Sequence, residues 1–471
     1  MTDNGDNNME RPKYGKLFQP EIKELIENKE FALLKEVFGE WQPADLAELI
    51  SDIPDYQQSI VFRLMPKTIL TKTFEYLDIT IQKKILTSLG TMEIAEILND
   101  MSPDDRTQLL EELPAGLVKQ MLGLLSAEEM KIAQNLLGYP ENSIGRLMPP
   151  NYIAGKEEMT ITKVLGYIRK YGHDSETMNM MYVVDGAGRL IDDIKIRQVL
   201  LSPPKRRVAS LMDYSFVSLN MTDDQETAVL TFKKYGFFTL PVIDSEGILI
   251  GIVTIDDVLN VAEKEVTEDM HKMGGMEALA DPYLHVPLLR LARKRATWLV
   301  ALFLGEMMTA TAMGYFEQEI ARAVVLALFV PLIISSGGNS GSQASTLVIR
   351  AMAIGEIKLR DWWRVLNREV GSGLILGTVL AGIGFLRIAI WQQLFHLYGV
   401  HWFYVGLSVA LTLVGVVLWG TLMGSMLPFI LRRLGVDPAT SSAPFVATLV
   451  DVSGIVIYFN VAYIILHGII L

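Results

Sequence analysis

The stretch "LIISSGGNSGSQASTLVI", residues 332–349, lies within a long apolar region, yet its centre consists of glycine, serine, asparagine and glutamine. Gly337 and Gly341 form a GxxxG pattern, which is typical of membrane helices that pack closely together. Packing alone does not explain the polar residues that recur at steps of three and four on one helical face, namely Ser335, Asn339, Ser342, Gln343 and Thr346. A polar stripe at the depth of a bilayer requires a partner or a water-filled path.

The apolar region around this stretch predicts a membrane domain. The chain has 471 residues, 50% of them hydrophobic, and the long apolar runs begin near Ala296. Five runs are long enough to span a bilayer core: 296–316, 323–349, 370–391, 403–431 and 443–471. We therefore expect a multidomain α + α/β membrane protein, in which a soluble half precedes a bundle of five transmembrane helices.

Lysine and arginine in the connecting segments predict the orientation of these spans. Basic residues flank the first span at 290–295, join the second to the third at 350–369, and join the fourth to the fifth at 431–435, whereas residues 392–402 contain neither Lys nor Arg. The positive-inside rule then places the N-terminal domains in the cytoplasm and the C-terminus on the extracellular or periplasmic side of the cell (inner) membrane.

The overall charge favours cations as partners. The formal net charge is −12, so the basic surface of a nucleic-acid-binding protein is absent. The chain contains no cysteine, which excludes disulfides and thiolate metal sites.

The fifth span, "SAPFVATLVDVSGIVIYF" (442–459), carries a carboxylate, Asp451, one helical step of three after Thr448. An ionised carboxylate in the bilayer core costs about 3 kcal/mol, so something must offset it. A passing cation would do so; protonation or a bond to another helix is the alternative. Glu306 in the first span is a second candidate that serves either a pore or a bond between helices. Oxygen ligands favour magnesium, calcium or manganese, and this chemistry leaves magnesium and manganese open.

The soluble half contains an internal repeat. Residues 146–172 match 210–236, and residues 181–201 match 240–260, so each copy reads as helix, strand, glycine turn, strand and helix. The pattern resembles a tandem pair of cystathionine-beta-synthase (CBS) domains, which often bind adenosyl ligands such as ATP. The resemblance implies that Thr254 and Asp257 of the second copy hold a ribose. The first copy has Lys195 and Gln198 at those positions, and a regulatory pair without nucleotide is the alternative.

Two further segments complete the soluble half. Residues 20–137 contain short leucine-rich segments interrupted by prolines, which predicts a superhelix of short helices. Just before the membrane, "DDVLNVAEKEVTED" (256–269) places Glu265, Glu268 and Asp269 on one helical face. Such like charges favour a bound counter-ion, while pairing with Lys272, four residues after Glu268, is an equal alternative.

The whole chain resembles the MgtE family of magnesium channels or transporters. The motifs that carry the resemblance are "EVTEDMHKMGG" (265–275), "DPYLHVPLLRLARKR" (281–295), "SSGGNSGSQAST" (335–346) and "APFVATLVDVSG" (443–454). The resemblance implies a homodimer whose pore runs between the second and fifth membrane helices of both subunits. It implies that the pore magnesium ligands are Asp451, the carbonyl of Ala447 and the neighbouring Asn339. The other pore-lining residues are then Ser335, Gly338, Gln343, Thr448 and Glu306.

The resemblance also implies regulation by cytosolic magnesium bound between acidic faces of the soluble domains. The matching acids are Asp257, Glu265, Glu268, Asp269, Glu226, Asp104 and Asp105. Asn260 departs from the family pattern, because relatives often have aspartate there.

These observations predict the following division of the chain: a disordered leader (1–19), a helical acidic N-domain (20–140), CBS domain 1 (141–209), CBS domain 2 (210–262), a connecting helix and linker (263–295), and a transmembrane pore domain (296–471). The alternatives are a membrane-anchored nucleotide sensor without transport, and a transporter of manganese or another divalent cation. We do not expect an enzyme, because the sequence shows no constellation of nucleophile, base and orienting residue.

Overall fold

The structure is a computed structural model, and it describes residues 14–279, 283 and 286–469. The chain forms two compact units, Met1–Ala262 and Glu263–Leu471. Of the expected leader, residues 1–13 lie outside the described part, but a helix already begins at Tyr14, so the expected boundary at residue 19 is too late. Buried Ile22 and Ile26 anchor this helix, which outweighs the backbone hydrogen bond lost at its internal Pro20.

Ten short helices follow one another at the start of the first unit. They are α1 (Tyr14–Glu27), α2 (Phe31–Glu40), α3 (Pro43–Asp52), α4 (Asp55–Arg63), α5 (Lys67–Glu75), α6 (Ile79–Ser88), α7 (Thr91–Asp100), α8 (Pro103–Glu111), α9 (Ala115–Leu122) and α10 (Ala127–Leu137). Proline marks the start of five of them: Pro43 and Pro103 lie in the first turn, and Pro54, Pro66 and Pro114 are N-caps. Proline suits these positions because the first turn needs no backbone N–H donor.

The packing of these helices confirms the all-helical prediction. Helix α3 packs against α1 and α5, α5 packs against α7, α4 packs against α6, and α8 packs against α10. These contacts join helices two places apart along the chain, as in a superhelix of stacked helix pairs. A continuous apolar core that includes Leu34, Phe62 and Leu98 runs through the stack.

The two halves of the repeat form matching three-stranded sheets. The first copy contains β1 (Ala154–Gly155), α11 (Ile161–Tyr171), β2 (Met180–Val184), β3 (Leu190–Lys195) and α12 (Ile196–Leu200); the second contains β4 (Leu219–Asn220), α13 (Gln225–Tyr235), β5 (Thr239–Ile243), β6 (Leu249–Thr254) and α14 (Ile255–Met273). In each sheet the first strand is parallel to the second, and the second is antiparallel to the third. The predicted tandem pair is confirmed, with one short strand per copy that the repeat did not reveal.

The glycine turns of the two copies pair with each other. The Leu190 N–H donates to the Gly247 carbonyl at 3.0 Å, and the Leu249 N–H donates to the Gly188 carbonyl at 3.1 Å. Both glycines have positive φ, +85° at Gly188 and +81° at Gly247, which is the left-handed region that favours glycine. The repeat therefore also builds the contact between its two copies.

The second unit, which begins within α14, is dominated by long apolar helices. The long helices are α15 (Leu288–Tyr315), α18 (Val330–Ala353), α19 (Trp362–Phe395), α20 (Trp402–Arg433) and α21 (Ala443–Leu466), and two short helices, α16 (Glu317–Arg322) and α17 (Val324–Ala327), lie between α15 and α18. Within the described ranges, five segments are long and apolar enough to cross a membrane, as predicted. The second predicted span is interrupted, because a separate short helix, α17, precedes α18 and its first-turn Pro331.

Helix α20 lies at the centre of the bundle, where it packs against α18, α19 and α21. Helix α21 also packs against α18 and α15. The side chains between these helices form one apolar core that includes Ile333, Val409, Val416 and Val450. This arrangement places the two motif-bearing helices, α18 and α21, side by side.

Candidate cation-binding sites

One face of α18 is a packing surface. A Cβ atom on Gly420 of α20 would lie 2.3 Å from the carbonyl oxygen of Gly337, and one on Gly424 would lie 2.0 Å from that of Gly341. The two helices therefore touch backbone to backbone, and a side chain at these positions has no space. The GxxxG pattern in the opening stretch is thus explained by helix packing.

The other face of α18 is polar and exposed in the single chain. Its exposed side chains are Ser335, Asn339, Gln343 and Thr346. The Asn339 amide donates to the Ser335 hydroxyl at 3.3 Å, so the two residues form a continuous polar surface. Ser342, by contrast, is partly buried and donates to the Ala443 carbonyl at 3.0 Å, where it joins α18 to the start of α21.

Asp451 lies against the edge of this polar face. It is partly buried, and it follows Ala443 by eight residues, which is about 12 Å along the helix axis. A Cβ atom on Gly338 would lie 3.4 Å from Oδ1 of Asp451 and 3.4 Å from Cβ of Ala447. The Asp451 carboxyl and Ala447 therefore lie close to α18 at Gly338.

The first membrane helix contributes Glu306 and a close contact beside it. The Glu306 side chain is exposed in the single chain, and its carboxyl lies within electrostatic range of Asp451. A Cβ atom on Gly305 would lie 2.7 Å from Cγ2 of Thr448, and the Thr448 hydroxyl donates to the Pro444 carbonyl at 3.1 Å. Thr448 thus uses its methyl group and hydroxyl in helix contacts, and its position fits packing better than pore lining.

A second candidate site lies in the first unit, where acids from several elements meet. The carboxyl groups of Asp104 of α8 and Asp257 of α14 lie next to each other, close enough to share a proton. Acids outnumber cations around this pair: Asp105, Glu176 and Asp256 lie within electrostatic range of it. Glu75 and Lys72 lie within electrostatic range of Asp105 and Glu176. We call these six acids and Lys72 the acidic cluster.

Burial shifts the protonation of the acidic cluster. Burial, reinforced by Asp257, raises the pKa of Asp104 well above its usual range. Burial also raises the pKa of Asp257 to about 7 and that of Asp105 to about 6, although the Thr254 and Ser102 hydroxyls oppose these shifts. In the described part of the chain, the Oδ1 atom of Asp104 is buried without a hydrogen-bond partner. A proton or a cation between the two carboxyl groups fits this arrangement.

Thr254 and Asp257, the expected ribose-binding residues, contact each other. The Thr254 hydroxyl donates to Oδ2 of Asp257 at 2.5 Å. Asp257 is thus placed for both expected roles, ribose binding beside Thr254 and cation binding beside Asp104. In the first copy, the Lys195 backbone N–H donates to Oε1 of Gln198 at 3.3 Å, which caps α12.

The acids of α14 near the membrane are partly used in an ion pair. Nζ of Lys272 lies 2.5 Å from Oε1 of Glu268 and 2.6 Å from Oδ2 of Asp437, which precedes α21. Burial lowers the pKa of Lys272, but the two carboxylates raise it more, so its net shift is upward. Glu268 therefore forms the local ion pair with Lys272 that the sequence offered as an alternative. Glu265 and Asp269 lie on the same helix and also make interactions of their own.

The structure brings only part of the expected acid set together. Among residues 14–279, 283 and 286–469, no three acidic or histidine side chains form a group that could hold a metal ion. Glu226 lies in the first turn of α13, where its backbone N–H donates to Asp224 at 2.9 Å. Asp104 and Asp257, two of the seven acids in the expected set, lie next to each other.

Sequence reasoning missed several members of the acidic cluster. Glu75 ends α5, Glu176 precedes β2, and Lys72 forms an ion pair with Glu75 at 2.8 Å. Lys72 and Glu75 form a local pair three residues apart on α5, and Glu176 lies in a separate segment, so no local pattern shows that these residues meet Asp104 and Asp257. Of the missed residues, only Asp256 could have been predicted from the sequence, because it is adjacent to Asp257.

Comparisons with known proteins agree with this architecture. A family model described as a divalent cation transporter, MgtE, matches residues 330–461, and models for the MgtE intracellular N domain and the CBS domain match residues 41–142 and 208–264. The magnesium transporter MgtE of Thermus thermophilus is 37% identical over 457 residues, which cover 95% of this chain and 98% of that protein. The chain belongs to the MgtE family. The family is one of divalent cation transporters, not of enzymes.

Two further MgtE relatives match this chain, one over nearly its whole length and one over its soluble half. The magnesium transporter MgtE of Bacillus subtilis is 29% identical over 446 residues, covering 94% of this chain and 96% of the relative. A crystal structure of the cytosolic domain of the Mg²⁺ channel MgtE in complex with ATP is 33% identical, with a TM-score of 0.50; the match covers 52% of this chain and 99% of that structure. The MgtE architecture expected from the sequence is therefore confirmed.

Proposed function

We propose that this chain is a subunit of a channel or transporter that passes magnesium through the cell membrane. The observation that carries the proposal is the close approach of Asp451 to Gly338, beside the exposed polar face of α18. A carboxylate at membrane depth attracts a divalent cation, and amide and hydroxyl groups can bond the waters that magnesium retains. The names of the full-length relatives favour magnesium over manganese and calcium.

In this proposal, Asp451 supplies the charge of the site and its neighbours supply neutral oxygen atoms. The Ala447 carbonyl accepts the Asp451 N–H within α21, and one of its lone pairs remains for the ion or its water. Asn339 and Gln343 present amides on the adjacent helix. Glu306, within electrostatic range of Asp451, adds a second carboxylate to the path.

A homodimer would complete the path. Membrane helices do not direct a row of amides and hydroxyls towards lipid, because the hydrocarbon offers no hydrogen-bond partner. The polar face of α18 is exposed in the single chain, and α15 buries little of its surface there. A second copy placed against these surfaces would enclose the polar stripe between two subunits.

The proposed orientation follows the distribution of basic residues. The N-terminal domains would be cytoplasmic, and the loop between α18 and α19 would return to the same side after two crossings. The segment between α19 and α20, which has no Lys or Arg, would be extracellular or periplasmic. With five crossings the C-terminus would also be outside; its last two residues, 470–471, lie beyond the described part.

We further propose that magnesium regulates transport through the acidic cluster. The orphaned Oδ1 of Asp104, beside the Asp257 carboxyl, fits a cation that would hold α8 against α14. Asp105 and Asp256 add negative charge within range of the same point. Without a cation, these carboxylates repel one another, so magnesium would stabilise the compact arrangement of this unit.

The end of α14 offers a route from this regulation to the pore. Lys272 is paired with Asp437, and a Cβ atom on Gly275 would lie 3.4 Å from the hydroxyl of Ser442 and 3.3 Å from Cγ of Pro444. These contacts lie directly at the start of α21, the helix that carries Asp451. A displacement of α14 would therefore act on the proposed pore helix at its first turn.

An adenine nucleotide remains a second proposed ligand. The solved MgtE cytosolic domain contains ATP, and Thr254 and Asp257 are the matching residue types here. A bound ribose would replace the hydrogen bond between these two side chains. Calorimetric titration of the full chain with ATP, compared with the Thr254→Ala variant, tests this part of the proposal.

The decisive experiment is ion flux in reconstituted vesicles. We expect magnesium uptake only in vesicles that contain the protein. A competing divalent ion that binds the same site should reduce this uptake. Parallel assays with manganese and calcium distinguish a magnesium pathway from a general divalent transporter. Absence of flux for all three ions, with nucleotide binding retained, would favour a membrane-anchored sensor without transport.

A further inference from the structure

A cavity of about 450 Å³ is lined by residues of the segment that joins α18 to α19 and of the first turns of α19. Four of its lining residues are basic, Lys358, Arg360, Arg364 and Arg368, and they lie within a segment of eleven residues. This cavity is separate from the polar face of α18 and from the acidic cluster. The transport proposal gives it no role.

The two acids of the cavity do not neutralise its charge. Asp361 accepts the Lys358 backbone N–H at 3.1 Å and pairs with Arg364 at 3.4 Å, so it is already engaged at the start of α19. Glu356 is exposed at the rim. Within the described ranges, the Arg364 pair is the one ion pair made by the four cations, and the Arg364 side chain is still 87% exposed. The cavity therefore retains a net positive charge and exposed guanidinium groups.

The remaining lining residues connect the cavity to the membrane helices. Ile357 and Val365 pack against a small apolar cluster formed by Val348, Met352 and Phe429, at the ends of α18 and α20. The cavity thus has a cationic rim and an apolar floor.

Two exposed tryptophans mark the level of the cavity relative to a bilayer. Trp362 and Trp363 are 48% and 55% exposed, and they follow the cavity residue Asp361 directly. Exposed tryptophan at the end of a membrane helix is typical of the interface between lipid headgroups and hydrocarbon. The guanidinium groups of the cavity consequently lie at the level where lipid phosphates are found.

We propose that this cavity binds the headgroup phosphate of an anionic phospholipid. Arginine binds phosphate oxygens through two parallel hydrogen bonds, and basic pockets between membrane helices recognise anionic headgroups. The apolar floor at Ile357 and Val365 gives the glycerol backbone and the first acyl carbons a surface to contact. A soluble phosphate shares the charge of the headgroup but would leave this floor uncovered.

The test measures which lipids remain with the full-length protein. The protein is reconstituted in phosphatidylcholine vesicles containing a minor fraction of phosphatidylglycerol, extracted in mild detergent, purified, and analysed for retained lipid by mass spectrometry. The lipid retained by the wild-type protein should contain a larger fraction of phosphatidylglycerol than the vesicles did. A triple variant carries Arg360→Gln, Arg364→Gln and Arg368→Gln. It should lose this enrichment, by about fivefold for each cation removed.

Matched variants separate the cavity from overall charge. The control is a triple variant that removes three positive charges at exposed positions of the first unit, Lys119→Gln, Lys131→Gln and Lys163→Gln. It should retain phosphatidylglycerol like wild type. Replacing the three arginines of the cavity by lysine keeps the charge and should preserve most of the enrichment. If the triple glutamine variant does not fold, as judged by size-exclusion chromatography, Arg360→Gln alone carries the test with an expected loss of about fivefold.

A second arm distinguishes lipid from free phosphate. Protein reconstituted with phosphatidylcholine and phosphatidylglycerol is washed with inorganic phosphate before the lipid is measured, and we expect the retained phosphatidylglycerol to be unchanged. Displacement of the lipid by millimolar phosphate would show a site for soluble anions and overturn the proposal. Equal enrichment in wild type and in the folded glutamine variant would overturn it as well.

Discussion

The carboxyl of Asp451 on α21 lies close to Gly338 of α18: a methyl group on Gly338 would lie 3.4 Å from its Oδ1 atom, at contact distance. This contact joins two of the four motifs that carry the family resemblance, residues 335–346 and 443–454. It places a charge beside amides and hydroxyls at a depth where each of them is costly in lipid.

Replacement of Asp451 by Asn should abolish most of the magnesium flux. The substitution conserves volume but removes the charge that attracts a divalent ion, an interaction of several kcal/mol at short range, so we expect uptake in vesicles to fall at least about tenfold. Asn460→Ala changes an exposed polar residue of the same helix and should leave uptake unchanged. Normal uptake by the Asp451→Asn variant would remove Asp451 from the pathway.

Alanine at Gly424 should destabilise the bundle. Its Cβ would lie 2.0 Å from the Gly341 carbonyl, which is backbone and cannot rotate away, so overpacking should cost at least about 1–3 kcal/mol. Gly415→Ala on the same helix would place Cβ 3.6 Å from Ile457, an ordinary contact, and should be tolerated. Thermal unfolding in detergent compares the two variants. Equal midpoints would contradict the backbone contact between α18 and α20.

The sequence predicts those features that depend on local spacing. The five spans follow from apolar run length, and the CBS pair follows from a repeat whose copies form matching sheets. The contact of Asp451 with Gly338, and the pairing of Lys272 with Asp437, join residues more than a hundred positions apart in the chain. Such contacts depend on how helices pack, and neither periodicity nor charge pattern specifies them.

The acidic cluster should make the first unit less stable as pH rises when magnesium is removed. In the unfolded chain an aspartate has a pKa of about 4. In the folded unit, burial raises the pKa of Asp257 to about 7. The folded state then binds more protons than the unfolded state between these values, so stability falls as pH increases from about 4 to about 7. Limited proteolysis of residues 14–262 of the full chain in EDTA measures this trend.

Asp104→Asn tests the origin of that trend. An amide at position 104 can donate to Asp257 without a shared proton, so the pH dependence of protease resistance should decrease. Asp52→Asn, at an exposed position of α3, is the matched control and should retain the dependence of wild type. The same slope in both variants would place the pH response outside the pair of Asp104 and Asp257.

Neutralising the acids at the end of α14 should reduce magnesium sensing. The triple variant carries Glu265→Gln, Glu268→Gln and Asp269→Asn. We expect protease protection of its residues 146–275 to respond much less to magnesium than in wild type, because the substitutions remove both the magnesium ligands and the repulsion between the carboxylates. Lys272→Gln breaks the ion pair with Glu268 but keeps all three acids, and should preserve the response. An unchanged response in the triple variant would mean that sensing resides elsewhere in the chain.

The orientation of the spans is accessible to cysteine labelling, because the native chain has no cysteine. A cysteine at Leu397, which is 61% exposed between α19 and α20, should react with a membrane-impermeant reagent from outside the cell. A cysteine at Glu356, between α18 and α19, should react from the cytoplasmic side only. Reaction of the Leu397 cysteine exclusively from the cytoplasm would refute the proposed topology.

Because Gly337 and Gly341 meet Gly420 and Gly424 backbone to backbone, α18 and α20 can join only after the fourth span has entered the bilayer. Translation proceeds from the N-terminus, so this pair can assemble while α21 is still leaving the ribosome. The last span carries Asp451, whose insertion into bare hydrocarbon would cost about 3 kcal/mol. We expect it to insert beside a polar helix that is already in place. In this order of synthesis the earlier helices would act as a template for the span that carries Asp451.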